Sequence, residues 1–288
     1  MASLTSQIKG MCAHSQFGAY GTQAVRVRSL CLIADQLKEL GFRLKHIKNL
    51  KPKHVTALVD TWQASGLASG TLKNRMSHLR YWAENVGKAS IIKSNEDYGL
   101  ENRTLYNGDK AQRLDMEKLA TIQSENIKLS LRLQSAFGLR REEALKFQPR
   151  RADKGEYIAL APSWCKGGRA REIPITTERQ RKLLEEAHAL AGAGSLIPDN
   201  KSYKEHLQTY KHQTLKAGLK NNHGLRHNYA QWRYKVLTGQ EPPAISGREF
   251  ASMSNAEKAR DTEARQIISR ELGHERLEVT NVYLGGRR

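Results

Sequence analysis

Residues 223–227 read HGLRH. His223 and His227, four apart, would share one face of a helix, and that spacing suits a metal pair. The glutamate of an H-E-x-x-H site is missing, because Gly224 holds its place, and the sequence offers no obvious third ligand. No metal is expected here. Arg226 is the better lead. Its guanidinium keeps its charge and matches phosphate geometry in a bidentate way.

Working outward, three further stretches carry chemistry: GLRREEALKF (138–147), CKGGRAREIPI (165–175) and LGHERLEVTNVY (272–283). Each has a plain reading on its own. Arg140 with Glu143 is an ion pair at a helix start. Lys166 is one exposed lysine near a Gly-Gly turn, and Tyr283 is a helix residue packing its ring. Together they mean more. Arg140 and Arg226 make a two-guanidinium clamp, and histidines and a lysine surround a tyrosine hydroxyl. A phenol of pKa about 10 is a poor nucleophile until its proton is removed. Histidine suits that task near neutral pH. Lys166 on a mobile loop can protonate a leaving alkoxide. The arginines neutralise the nonbridging oxygens, so the chemistry calls for no cofactor and no metal.

The composition agrees with an anionic partner. The chain has 288 residues, 39% hydrophobic and 27% charged, enough to fold as one large or two ordinary domains. Its 48 Lys and Arg against 29 Asp and Glu leave a net charge of +19. That excess favours nucleic acid over an acidic membrane surface. Cys12, Cys31 and Cys165 form no C-x-x-C pair, so no disulfide framework is expected. The start, MASLTSQIKGMCAHSQF, lacks the apolar core of a signal peptide, and no apolar run is long enough to span a membrane. A reducing compartment follows as the expectation.

The first hundred residues read as helices. Leu30, Ile33, Leu37 and Leu40 share one face; Val55, Leu58, Val59 and Trp62 a second; Leu72, Met76, Leu79, Trp82 and Val86 a third. Between the first two runs RLKHIKNLKPK (43–53), with Arg43, Lys45, Lys48, Lys51 and Lys53 and no acid. It reads equally as a solvated loop or a phosphate-contacting one. Residues 88–113 lose helical periodicity and read as a linker. Segment 1–108 holds 15 basic and 7 acidic residues, and 109–288 holds 33 and 22, so both are basic. In the second segment Asp115 caps a helix, Gly138 breaks one, and residues 157–161 and 171–175 form a β-hairpin. Thr177–Gln180, Ser202–Glu205 and Ser254–Glu257 each fit a capping box opening a helix.

In order and spacing, Gly138-Leu139-Arg140 with Glu143, Lys166-Gly167, His223-Gly224-Leu225-Arg226-His227, and Leu272-Gly273-His274 with Tyr283 resemble the tyrosine recombinase, or phage integrase, family. The motifs span residues 138–283, about half the chain. The resemblance implies a mainly α fold with a small β-sheet. It also implies two domains closing as a C-shaped clamp on duplex DNA: a helical, SAM-like core-binding domain (1–108) and a catalytic domain (109–288). Tyr283 would attack the scissile phosphate to give a 3′-phosphotyrosyl bond and a free 5′-hydroxyl, without ATP. Arg140 and Arg226 would bind the phosphate, and His223 would act as acid/base. Lys166 would protonate the leaving oxygen, His274 would bond the phosphate, and Glu143 would support the site. Arg169 joins residues 43–53 as a DNA-contact candidate. The implied partners are duplex recombination sites, further copies of the chain as a tetramer on synapsed DNA, and an accessory directionality factor. The implied location is cytoplasmic, at the nucleoid, in the service of a mobile element.

Three features depart from the family pattern. Arg141 sits beside Arg140, though Glu143 favours Arg140. The 47 residues between Arg226 and His274 exceed the usual spacing, with the surplus in QEPPAISGREFASMSN (240–255). After Tyr283 the sequence reads LGGRR, which questions the usual coupling between protomers, and with no arm-type domain read ahead of the helical segment, arm-site DNA binding is not expected. Alternatives are a type IB topoisomerase-like nicking–closing enzyme, a non-catalytic DNA-binding regulator and an amphipathic membrane-surface protein.

Overall fold

A computed structural model describes residues 2–15, 17–100, 106 and 108–287. The chain divides into two compact units, Met1–Thr104 and Leu105–Arg288.

The first unit is helical: α1 (Leu4–His14), α2 (Tyr20–Glu39), α3 (Pro52–Ala64) and α4 (Ser69–Asn85). The apolar faces read from the sequence meet in one core. Leu30, Ile33 and Leu37 of α2, Val55, Leu58 and Trp62 of α3, and Met76, Leu79 and Trp82 of α4 are all buried. Leu40 departs from its expected face: α2 ends at Glu39, and Leu40 is its cap, 38% exposed. The buried indoles keep their N–H groups paired, Trp62 donating to Gln36 Oε1 at 2.9 Å and Trp82 to the Ile47 carbonyl at 3.0 Å. That second bond ties the basic stretch 43–53 to α4. Leu50 is buried beneath the stretch, and Lys88 donates to the Lys48 carbonyl at 2.6 Å. The expected linker, 88–113, holds 3-10 turns at Ala89–Ile91 and Glu96–Tyr98, while 101–105 and 107 lie outside the described residues.

The second unit runs α5 (Met116–Ala120), α6 (Glu125–Phe137), α7 (Arg141–Leu145), α8 (Pro149–Ala152), β1 (Tyr157–Leu160) and β2 (Arg171–Pro174). Then come α9 (Glu178–Ala191), α10 (Tyr203–Lys216), α11 (Gly224–Thr238), α12 (Pro243–Ser246), α13 (Asn255–Glu271) and α14 (Asn281–Leu284). The strands form the expected antiparallel hairpin, with Ile158 opposite Ile173. The Asp115 cap and the three capping boxes are in place, each Ser or Thr hydroxyl accepting from the backbone N–H three residues on. Helix α6 packs against α7, α9 and α11, and α11 also carries α13 and α14.

Gly138 stops α6 for two reasons. Its φ is +61°, and a Cβ there would lie 2.5 Å from the ring of Tyr229. Segment 240–255 is not a plain loop: it holds α12 and a 3-10 turn, Phe250–Ser252.

Candidate active site

Six of the seven candidate site residues meet where four chain breaks converge: the Gly138 turn, the start of α11, the end of α13 and α14. Arg140 precedes α7 and Glu143 lies one turn along it. Glu143 is fully buried. It accepts from the Arg140 backbone N–H at 2.6 Å and from Arg140 Nη1 at 2.9 Å. It also accepts both ends of the Arg171 fork, at 2.8 and 2.6 Å. Burial by itself would raise its pKa, but Arg171 foremost, with Arg226 and Arg140, holds the carboxyl down at about 2.

Arg171 escaped the sequence reading. Its signal was the strand alternation, which puts Arg171 on the buried face with Ile173 while Glu172 points out. Its Nε donates to the Glu271 carbonyl at 2.8 Å, linking β2 to the end of α13. The neighbouring Gly273, at φ +64°, has no room for a side chain, since a Cβ would lie 2.8 Å from Arg171 Cδ.

Arg226 is buried and joins two helix ends. It donates to the Gly138 carbonyl at 2.5 Å and to the Leu272 carbonyl, the C-terminal caps of α6 and α13. Its Nη2 lies 3.3 Å from His274 Nε2, and its Nε points to the Tyr283 hydroxyl at 3.4 Å. Burial lowers its pKa to about 10, so it stays charged at neutral pH.

Three imidazoles surround Tyr283. The His227 ring centroid lies 4.4 Å from the tyrosine ring, His274 stacks at 5.3 Å, and His223 lies 6.2 Å away. Burial lowers His274 to about 3, helped by Arg226 and Arg140. Burial also lowers His227 to about 4, helped by His223 and Lys110. His223 is exposed, yet partial desolvation, then Arg226 and Arg140, lower it too. All three are therefore neutral at pH 7. Arginine only donates, so the His274 Nε2 facing Arg226 carries the lone pair and Nδ1 carries the proton. The buried Nδ1 atoms of His274 and His227 have no hydrogen-bond partner. His227 was read as a helix neighbour of His223, not as a site residue, yet it is the nearest of these rings to Tyr283.

Lys166 stands apart. It is exposed in the β1–β2 loop beside Gly167 and Gly168, both at positive φ, and no described contact joins it to the cluster. Arg169, on the same loop, is paired with Glu275 next to His274. In the first unit Arg43, Lys45, Lys48, Lys51 and Lys53 are all exposed. Among the described residues no group of three or more His, Cys, Asp or Glu could hold a metal ion.

Helix α14, which carries Tyr283, is held from behind. Gly285 lies so close to α12 that a Cβ would be 2.7 Å from the Ala244 nitrogen. Buried Arg265 donates to Asn281 Oδ1 at 3.0 Å and to the Gly285 carbonyl at 3.1 Å. Arg287 bonds Asp261 and Thr262 and lies 4.7 Å over the ring of Phe250. Segment 240–255 thus packs against the chain's own C-terminal tail.

An all-helical first unit, and a second unit that brings a buried arginine and paired histidines to a tyrosine, fit the integrase-type fold expected from the motifs. Family models agree: "Phage integrase, N-terminal" matches residues 1–92 and "Integrase" matches residues 107–232. The chain belongs to the tyrosine recombinase, or phage integrase, family. Among solved structures it resembles XerH site-specific recombinase bound to a palindromic difH substrate, with TM-score 0.57 and 17% identity over 97% of this chain and 80% of that one. It also resembles a lambda integrase dimer bound to a COC′ core site, with TM-score 0.58 and 15% identity over 96% of each chain. A third is the Tn1549 transposon integrase with circular intermediate DNA, with TM-score 0.57 and 14% identity over 100% of this chain and 97% of that one. At such identities the likeness is one of fold. No curated protein sequence matches the chain. No helix among the described residues is long and apolar enough to cross a membrane.

Proposed function

We propose that the protein is a site-specific DNA recombinase of a mobile element that cuts and rejoins strands through Tyr283. The observation that carries the reading is the Tyr283 hydroxyl 3.4 Å from Nε of buried Arg226, inside a ring of three neutral histidines. In the proposed step the phenol oxygen attacks the scissile phosphorus. Its proton passes to an imidazole, His223 or the closer His227. The phosphorus–O5′ bond breaks, a 3′-phosphotyrosyl bond forms, and the departing 5′-oxygen takes a proton from Lys166. Arg140 and Arg226 neutralise the nonbridging oxygens. The unpaired Nδ1–H of His274 is a donor that a phosphate oxygen would satisfy. Glu143 orients Arg140 and Arg171 without touching DNA. Religation reverses the step on a new strand and needs no ATP, since the phosphotyrosyl bond keeps the phosphodiester energy.

Residues 1–108 would act as the core-binding domain and 109–288 as the catalytic one, with Arg43, Lys45, Lys48, Lys51, Lys53 and Arg169 as phosphate contacts. The working form would be a tetramer on two synapsed sites. In its support, one structural neighbour is a lambda integrase tetramer bound to a Holliday junction, with TM-score 0.57 and 13% identity.

The test uses a nicked suicide duplex carrying the flanks of the encoding element, without metal or ATP. Wild type should give a denaturation-resistant adduct and Tyr283→Phe none. Tight binding with no adduct, across all candidate flanks, would favour the regulator instead. An adduct from Tyr283→Phe would assign the nucleophile elsewhere.

A further inference from the structure

Beside His223, between α10 and the start of α11, lies a pocket of about 700 Å³. Three of its lining residues are cations: Arg141, Lys211 and Lys220. None of the described lining residues is acidic, and no ion pair is described for any of the three. That sets them apart from their surroundings, where Arg140 and Arg171 share Glu143, Lys146 meets Glu142, and Arg169 meets Glu275. Like charges gathered without a counter-charge repel one another, and the arrangement is stabilised when an anion enters.

The pocket wall also supplies an unused donor. The hydroxyl of buried Tyr210 accepts from Gln134 Nε2 at 3.2 Å and from Asn222 Nδ2 at 3.3 Å. The Ser130 carbonyl fixes the Gln134 amide as a donor, at 3.2 Å. The Tyr210 proton then has no described acceptor, and burial keeps the phenol protonated by raising its pKa. Three cations and a spare hydroxyl proton match the oxygens of one phosphate. His223 lines the same pocket and lies 6.2 Å from Tyr283, so the pocket adjoins the site of strand cleavage. Phosphates of one strand follow one another at a rise of about 3.4 Å, so a strand that reaches the Arg140–Arg226 clamp brings its neighbours within reach.

We propose that this pocket is a second phosphate site, which takes a non-scissile phosphodiester of the cleaved strand on Arg141, Lys211 and Lys220, with the Tyr210 hydroxyl donating. It rests on the recombinase reading and adds strand positioning to it: the neighbouring phosphate sets which phosphorus faces Tyr283. Arg141 thereby has a role distinct from that of Arg140.

The experiment replaces single phosphates of the suicide duplex with neutral methylphosphonates, one position at a time around the cleavage site. Adduct formation and the salt dependence of binding are then followed. The proteins are wild type, Arg141→Ala/Lys220→Ala and Tyr210→Phe, with folding checked by thermal melting. For wild type, one non-scissile position should slow the adduct by about tenfold, the loss expected for a charged hydrogen-bonded contact. The double variant should be slow on unmodified DNA and indifferent to that position, because the two changes remove one interaction. Its slope of log K against log salt should be shallower by about 1, the value of one phosphate contact. Tyr210→Phe should lose part of the same coupling, followed below its own melting transition because the change also removes the acceptor of Gln134 and Asn222. Wild type insensitive at every non-scissile position, or a double variant with the wild-type penalty and slope, overturns the second site. Wild type that forms no adduct on unmodified DNA overturns the recombinase reading instead.

Discussion

Glu143 and Arg171 form the buried pair on which the site is built. A fully buried carboxylate is costly unless paired, and Arg171 donates both ends of its fork to it. Arg171→Ala leaves Arg140 as the only residue still hydrogen-bonded to that charge among the described contacts. Urea denaturation should show a loss of about 3 kcal/mol, the lower end of the range for breaking a buried pair. Arg171→Lys, which keeps the charge but not the fork, should recover only part. An unchanged midpoint for Arg171→Ala would mean the pair is not what holds β2 to α7. The histidines predict a pH dependence. His227 and His274 have folded pKa values of about 4 and about 3 against an ordinary 6.5. The unfolded chain therefore binds protons more readily. The stability these residues contribute is fully present above pH 6.5 and is lost as pH falls toward those values. Glu143, at about 2 against 4.5, adds a loss below pH 4.5. Melting temperature should drop from pH 6.5 to 4, and His227→Gln should flatten that limb. A wild-type melting curve flat over this range would contradict the buried, neutral assignment.

At the scale of elements, the tyrosine helix depends on a segment 40 residues upstream. Gly285 adopts φ +87° and touches α12, so Gly285→Ala meets both backbone strain and the Ala244 backbone. The strain should shift α14, and with it Tyr283. The adduct rate should fall by about tenfold or more, given roughly 1–3 kcal/mol of strain, while DNA affinity stays near that of wild type. Equal losses in affinity and rate would show that the segment serves DNA binding instead. This packing was not legible in the sequence. QEPPAISGREFASMSN read as a proline-marked loop, because its short helix and 3-10 turn are too brief for a periodic signal. The longer elements were legible. Gly138, the three capping boxes and the α2, α3 and α4 faces each write their signal within four residues, the reach of a helical turn.

At the scale of the molecule, each unit has its own apolar core. Residues 105–288 alone should therefore melt cooperatively; a non-cooperative trace would show that the core needs residues 1–104. With a net charge of +19 the full chain should bind DNA with a steep salt dependence. Residues 105–288 should bind more weakly and with a shallower slope, because the exposed cations of residues 43–53 are gone. A flat salt response for the full chain would remove the DNA reading.

The order of motifs from Gly138 to Tyr283, the helical periods, the caps and the basic excess were all set by the sequence alone. Each depends on residue type and on neighbours a few positions away. Which cations are neutralised and which remain open was decided only by tertiary structure. Arg140 and Arg141 are adjacent and alike in type, yet one meets Glu143 and the other faces the pocket beside His223. Glu143 finds Arg171 28 residues away, and Arg226 reaches the Leu272 carbonyl across 46 residues. Charge pairing and desolvation act through space, so they take their values only when the chain has closed on itself.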